Sequence, residues 1–444
     1  MKIHFVGIGG IGMSSLALHS HFEGKLVYGS DLYENEQIRL LQKLGVKVFL
    51  GHSYNNWLNP DLVVYTPAVH KDNPEISRAK EEHVPVINRF EFLRSIVQRH
   101  LQYAVTGSDG KTTTTAMLAH VLKTIGENPT VFLGGLHTSL EYGNYRKGCE
   151  KVVYELDESQ PEFCNFSPNY LIITNARGDH MENFKSDPSF YKKCFENLVL
   201  NTKDLAVTYR EDETTGKLGH LTFGKTAGVC RLLERKVNRL VQAATIELDG
   251  KKYELILKVP GEHNVLNAMA VITLLWAIGH DVLAVIKALE SFVNTYRRFT
   301  VTVIDEERRI FVVDDYAHTP DEIQCLLKAA QERFPNEKKV VVFQPHRYTR
   351  LAREDGKFSR ALELADEVYV TEVYDAFEVD VPKISSKIIV EGLITSGKKA
   401  FYVPSLDLVE SLLPVTENTV YLFVGAGDVI KASQRFVQTI KKKN

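Results

Sequence analysis

At 444 residues the chain is too long for one ordinary core and predicts two or three domains. Hydrophobic content of 44% and charged content of 25% are those of a globular protein, and the lack of any apolar run of spanning length argues against membrane insertion. A formal net charge of −2 gives no support to nucleic-acid binding. The start, MKIHFVGIGG, lacks the plan of a signal peptide. Five cysteines without a Cys-x-x-Cys pair (Cys149, Cys164, Cys194, Cys230, Cys325) read as free thiols in a reducing compartment.

The first strand, KIHFV, runs into Gly7-Ile8-Gly9-Gly10-Ile11-Gly12. A second strand, KLVYGS, ends beside Asp31, and a helical stretch follows from Asn35 to Leu44. VKVFL, DLVVYTP and VPVIN are further strands. Strand–helix alternation predicts a parallel sheet with helices on its faces. Near residues 95–101 the pattern restarts with LQYAV and the helix TTTTAMLAHVLKTI, then KVVYEL, NYLIITN and DLAVTY. Asp249-Gly250, between QAATIEL and KKYELILKV, predicts a hairpin. NVLNAMAVITLLWAIGH is a long, largely apolar helix. A third restart near residue 300 brings FTVTVID, RRIFVVDDYAH, KKVVVFQPH, DEVYVTEVYDAF, KKAFYV and TVYLFVGAGD, with helices such as IQCLLKAAQERF between them. The expected boundaries are 1–96, 97–299 and 300–444.

Two glycine turns invite phosphate. Gly7–Gly12 fits Gly-x-Gly-x-x-Gly between a strand and a helix, with Asp31 placed for a ribose, and would serve any diphosphate ligand. A nicotinamide-dependent oxidoreductase is therefore one reading. In Gly107-Ser108-Asp109-Gly110-Lys111-Thr112, backbone N–H groups and the next helix's N-terminus can surround a phosphate. Lys111 can reach the outer phosphates and Thr112 can join a magnesium shell. The first Gly of the strict phosphate loop is replaced by Val105.

Further polar clusters stand where apolar strands end, which is where open α/β sheets bind ligands. Glu155, Asp157 and Glu158 follow KVVYEL; Asn175, Asp179 and His180 follow NYLIIT. Asn264 and Asn267 enter the apolar helix. Asn264 can be a helix cap, but capping explains only one of the two. In the third block the clusters are Asp314–Pro320, Gln344–Arg350 and Gly425–Asp428. Arg347 and Arg350 suit a carboxylate, because guanidinium matches it in a paired geometry.

Taken together, these residues resemble the Mur ligases, the ATP-dependent family that joins amino acids to the cell-wall precursor. The resemblance rests on the order and spacing of GIGGIGMSS (7–15), TGSDGKTTTT (106–115), ELDES (155–159), TNARGDH (174–180), GEHNVLNA (261–268), RRF (297–299), DDYAHTPDE (314–322), FQPHRYTR (343–350), EVYDAFE (372–378) and GAGD (425–428). The family's loop reads Gly-x-x-Gly-Lys-[Thr/Ser], so Val105 is no obstacle.

The resemblance implies three α/β domains on largely parallel sheets: a Rossmann-like UDP-sugar domain, a P-loop-type ATP domain with an added hairpin, and a Rossmann-like amino-acid domain. It implies that Gly9, Gly10, Ile11, Gly12, Met13, Ser14 and Asp31 hold the UDP-sugar. Gly107, Ser108, Asp109, Gly110, Lys111, Thr112, Thr113, Asn264, Asn267, Arg298 (or its neighbour Arg297) and Asp315 would hold ATP. Thr112, Glu155 and His180 would hold Mg2+, and Tyr316, His318, Arg347 and Arg350 the amino acid. The catalytic set would be Lys111, Glu155, His180, Arg298 and Asp315. The implied reaction, in the cytoplasm, activates the carboxylate of UDP-N-acetylmuramate as an acyl phosphate and joins it to L-alanine, in a monomer or weak homo-oligomer. Later-step members of the family and its tripeptide-recycling ligase share parts of the pattern; a non-catalytic nucleotide sensor would have kept the clefts alone. The chain departs from the pattern twice. Asp109 stands where His is frequent, and Arg177-Gly178-Asp179-His180 where Glu-x-Asp-His is usual.

Overall fold

The computed structural model describes every residue except 71, 179, 239, 377, 379–381 and 444, and the side chains of 442 and 443. Asp179, and Phe377 within EVYDAFE, therefore lie outside the described residues.

The first sheet is parallel, in the order β3-β2-β1-β4-β5. It comprises β1 (Lys2–Val6), β2 (Leu26–Asp31), β3 (Lys47–Leu50), β4 (Leu62–Tyr65) and β5 (Val86–Asn88). Its helices are α1 (Ile11–Phe22), α2 (Glu36–Lys43), α3 (Pro74–Glu81) and α4 (Arg89–Val97). Local chemistry sets their starts. Asn35 caps α2 by accepting from the Ile38 amide, and Asn73 caps α3 just before Pro74. Asn88 and Glu91 form a capping box, so α4 leaves β5 without a loop.

The second sheet follows β6 (Leu101–Thr106) and α5 (Lys111–Thr124) with β7 (Thr130–Phe132), β8 (Tyr145–Arg146), β9 (Lys151–Glu155) and β10 (Tyr170–Ile173). Next come α6 (Pro188–Asn201), β11 (Leu205–Tyr209), β12 (Leu221–Gly224), β13 (Cys230–Val237), β14 (Gln242–Leu248), β15 (Lys251–Leu257), α7 (Glu262–Ala277) and α8 (Val282–Glu290). The order β15-β14-β13-β12-β11-β10-β6-β9-β7-β8 puts β6 between β10 and β9, both parallel to it. Tyr103, Ala104 and Val105 of β6 are buried, as expected for a strand covered on both faces. The anticipated hairpin is β14–β15. Asp249 (φ 49°) and Gly250 (φ 75°) both take the left-handed conformation of a type I′ turn.

The third sheet holds β16 (Thr300–Asp305), β17 (Ile310–Asp315), β18 (Lys338–Phe343), β19 (Glu367–Thr371), β20 (Lys399–Val403) and β21 (Thr419–Val424), in the order β16-β17-β21-β18-β19-β20. Among the described residues of this sheet, the edge strand β16 alone pairs antiparallel. Its helices are α9 (Pro320–Arg333), α10 (Tyr348–Arg353), α11 (Lys357–Leu362), α12 (Lys387–Thr395), α13 (Val409–Leu412) and α14 (Val429–Lys443).

By compactness the chain forms two units. One comprises 1–234, 244–255 and 266–295, with the first sheet and most of the second; the other comprises 235–243, 256–265 and 296–444. Among the described residues no helix is long and apolar enough to cross a membrane.

Candidate active site

In the first unit, the strand order reverses at β1 and again at β6. A crevice opens beyond the carboxyl end of each, and each is filled by a glycine turn. After β1, Gly7 has φ +82°, and a Cβ there would stand 2.5 Å from Thr66 Cγ2. Asp31 Oδ2 accepts from the Gly9 amide at 2.8 Å, and Asn35 Nδ2 donates to Gly9 O at 3.1 Å. Asp31, expected at a ribose, thus braces the turn itself. Gly10 is exposed and Ile11 and Gly12 are half-buried, whereas the Met13 and Ser14 side chains are buried.

Asn144, fully buried and more than a hundred residues away in sequence, holds this turn. Its Nδ2 donates to Ile11 O at 2.6 Å and to Ser14 Oγ at 2.8 Å. A Cβ on Gly12 would stand 2.8 Å from Arg89 Nη1, and Arg89 pairs with Asp157 at the end of β9. Sequence reasoning missed both residues. Arg89 sits at the end of β5, where the strand-end rule applied to the other clusters would have found it.

After β6, the turn is drawn against the exit of β10. Gly107 has φ +128°, and a Cβ there would collide with Thr174 Oγ1. Asn175 O accepts from the Ser108 amide at 3.0 Å and Asn175 Oδ1 from the Asp109 amide at 3.0 Å. Thr174 Oγ1 donates to Asp109 O at 2.5 Å. The Arg177 amide donates to Ser108 Oγ at 3.0 Å, and the Arg177 guanidinium pairs with the Asp109 carboxylate. The two departures from the family pattern are thus partners of each other.

Gly110 (φ +78°) precedes α5 without a side-chain cap, and Thr113 lies buried in the first turn. A Cβ on Gly110 would stand 2.7 Å from Asn267 Oδ1. Asn264 instead donates to Pro260 O at 2.6 Å, closing the turn into α7.

Lys111 Nζ donates to Gly107 O at 2.6 Å and Ser108 O at 3.1 Å, and lies 2.8 Å from Glu158 Oε2. Three carboxylates share this lysine. Burial acts on all three, but Arg89 and Lys111 hold Asp157 low. Burial raises Glu155, and it pushes Glu158 up to about 7 against the pull of Lys111. Thr112 Oγ1 donates to Glu155 Oε1 at 3.0 Å, and Gly134 N donates to Glu155 Oε2 at 2.9 Å.

Thr112 and Glu155 thus offer two hard oxygen donors side by side. That fits Mg2+, which takes one or two protein oxygens and completes its shell with phosphate oxygens and water. Among the described residues no three His, Cys, Asp or Glu side chains converge as a metal cage. His180 (φ +59°) opens a short 3-10 turn, its Nδ1 3.6 Å from Glu182 Oε1; its nitrogen is the less usual ligand for Mg2+.

The second unit gathers its clusters at the exits of β17, β21 and β18, neighbours in the sheet. Asp315 accepts from the Phe299 amide at 2.7 Å and the Ala317 amide at 2.8 Å; burial raises its pKa, opposed by Arg298. Glu322, the last residue of DDYAHTPDE and assigned no role from the sequence, links two predicted residues. It is 3.4 Å from Arg298 Nη1 and accepts from the His318 amide at 3.0 Å.

Arg297 donates to Gly425 O at 2.5 Å, and both Arg297 and Arg298 lie over the Tyr316 ring. His318 contacts Tyr316 and His346, and His346 stacks on Tyr374. Burial and the neighbouring His318, Arg350, Arg347 and Arg297 push His346 down to about 3, so it is neutral near pH 7. Arg350 is buried with Nη1 3.3 Å from His346 Nδ1, and Arg347 Nε donates to Glu378 Oε1 at 2.9 Å.

Comparison with known proteins gives a consistent picture. Models described as Mur ligase family, catalytic domain (residues 2–101), Mur ligase middle domain (105–275) and Mur ligase, glutamate ligase domain (297–427) match in that order. UDP-N-acetylmuramate–L-alanine ligase of Pseudothermotoga lettingae is 63% identical, with all of both chains covered. The crystal structure of UDP-N-acetylmuramate-alanine ligase from Thermotoga maritima superposes with TM-score 0.92 at 53% identity over all of both chains. A murein peptide ligase from Psychrobacter arcticus shares the fold, at TM-score 0.73 and 21% identity over 99% of each chain. With two relatives above half identity from end to end, and a glycine turn at each crevice of the first unit, the chain belongs to the Mur ligase family.

Proposed function

We propose that the chain joins L-alanine to UDP-N-acetylmuramate with ATP and Mg2+, releasing ADP and phosphate, as a cytoplasmic step of peptidoglycan precursor synthesis. The observation that carries this reading is Lys111 at an uncapped helix N-terminus beside the Thr112–Glu155 oxygen pair, in a chain 63% identical throughout to a ligase of that name.

Residues 1–96 take the UDP-sugar on the turn from Gly9 to Ser14, residues 97–299 take ATP, and residues 300–444 take the amino acid. The substrate carboxylate attacks the γ-phosphorus, and ADP leaves. The L-alanine amino group then attacks the acyl phosphate, and inorganic phosphate leaves. Lys111, with the α5 amides, meets the negative charge that grows on the transferring phosphoryl group. Bound Mg2+, held by Thr112 and Glu155 with His180 beside the phosphates, would neutralise the polyphosphate. Arg298, Asp315, Asn264 and Asn267 position the nucleotide. Tyr316, His318, Arg347 and Arg350 take the amino acid, and the arginines pair the carboxylate of alanine, which cannot be left unpaired once it is taken from water.

The test is one assay panel: UDP-N-acetylmuramate and ATP with each amino acid, following phosphate release and product mass. A product heavier by one alanine residue is expected. Turnover only with a UDP-muramoyl dipeptide and a diamino acid, or only with an intact tripeptide, would assign the chain to another step of its family.

A further inference from the structure

We propose that Arg177 is the counter-charge of an acidic phosphate loop. By pairing with Asp109 it cancels a negative charge that would otherwise repel the nucleotide, and so sets nucleotide affinity. This rests on the reading of residues 107–112 as the ATP phosphate site.

Asp109 stands immediately before the residue that caps α5, inside the turn that is to receive a polyphosphate. Its backbone is fixed on both sides: the amide donates to Asn175 Oδ1 at 3.0 Å, and the carbonyl accepts from Thr174 Oγ1 at 2.5 Å. The main chain that carries the carboxylate is therefore held in the loop. About a quarter of the Asp109 side chain is exposed, so solvent screens it only in part. Lys111, the loop's other charge, already answers to Glu158, Asp157 and Glu155. Arg177 places a positive charge directly on the Asp109 carboxylate. Its backbone is tied to the same loop through Ser108 Oγ at 3.0 Å, so the guanidinium is delivered to Asp109 by the exit of β10. Arg177 is a positioning residue here: it acts on ATP through Asp109.

A charge-balance role makes a prediction that a scaffolding role does not. Removing the arginine alone should weaken binding, and removing both charges should restore it. The experiment is calorimetric titration of the full chain with Mg-ATP and Mg-ADP at low and high salt. Arg177→Gln should weaken Mg-ATP about tenfold or more, with a smaller loss at high salt. Arg177→Lys should stay within about threefold of wild type, because it keeps the charge. The double variant Asp109→Asn/Arg177→Gln should regain most of the affinity that Arg177→Gln loses. A double variant as weak as Arg177→Gln, or an Arg177→Gln chain that binds like wild type, would overturn the inference. Failure of the wild-type chain to bind Mg-ATP at all would instead overturn the reading of the loop, and this inference with it.

Discussion

The chain passes from strand to helix through glycines at Gly7–Gly12 and again at Gly107–Gly110, and the two turns differ in what surrounds them. The first is braced by Asn35, Asn144 and Asp31, and the one guanidinium against it, that of Arg89 at Gly12, is paired with Asp157. No lysine or arginine lies within its own six residues. The second holds a buried lysine among three carboxylates and an ion pair of its own, Asp109 with Arg177. Glycine spacing therefore dictates how closely a ligand can approach the backbone, while the charges beside the turn decide which ligand gains from that approach. A diphosphate already joined to a sugar needs only to be held. A γ-phosphoryl group about to be transferred needs charge aimed at its transition state.

That contrast is broken most severely at Lys111. Lys111→Ala should cut the rate of amide formation by at least about 100-fold, with the fold retained by circular dichroism, because the buried carboxylates can take up protons once the lysine is gone. Phosphate release with all three substrates measures it. Activity within a few-fold of wild type would remove the distinction between the turns.

Asn144 sharpens the contrast from the other side. Asn144→Ala takes away both donors that brace Ile11 and Ser14. About 1–2 kcal/mol is at stake, so the KM for UDP-N-acetylmuramate should rise about tenfold while the KM for ATP stays within about twofold. Equal changes in both would show that the turns are not independently built.

The smallest effect concerns pH. The folded-state pKa of Glu158, pushed up to about 7, lies above its ordinary value of 4.5. Its contribution to stability is therefore full below pH 4.5 and is lost as pH rises through 7. Glu158→Gln should remove this slope, gaining about 1 kcal/mol on wild type between pH 5 and 8 in urea unfolding. Parallel pH profiles for the two proteins would contradict the crowding of carboxylates around Lys111.

Much of this was readable in the chain itself. Apolar runs such as KVVVF and YLFV announce buried parallel strands, and glycines and amides mark their exits, so the strands and the polar clusters were legible. The partners of those clusters were not. Asn144 reaches Ile11 across 133 positions and Arg89 reaches Asp157 across 68. Which strand exits become neighbours depends on sheet order, which periodicity does not encode. The edge strand β16 was legible as a strand, but its antiparallel pairing with β17 follows from a short connection whose last residue, Arg309, takes φ +56° without being glycine. At Asp31 its distance from the glycines was legible, but not that its carboxylate accepts from the Gly9 amide of the turn itself.

The interleaving of the two compact units bears on how this protein can be recombined with its relatives. The ends of the β13–β15 strands, 235–243 and 256–265, group with the later unit although they precede residue 296 by many positions. A single crossover at 296 would give a hybrid whose later unit carries one parent's segments beside the other parent's body. Arg235, which is bidentate on Glu332 within that unit, would then meet whatever the second parent carries at that position. Shuffling that respects this architecture must move three stretches of sequence together.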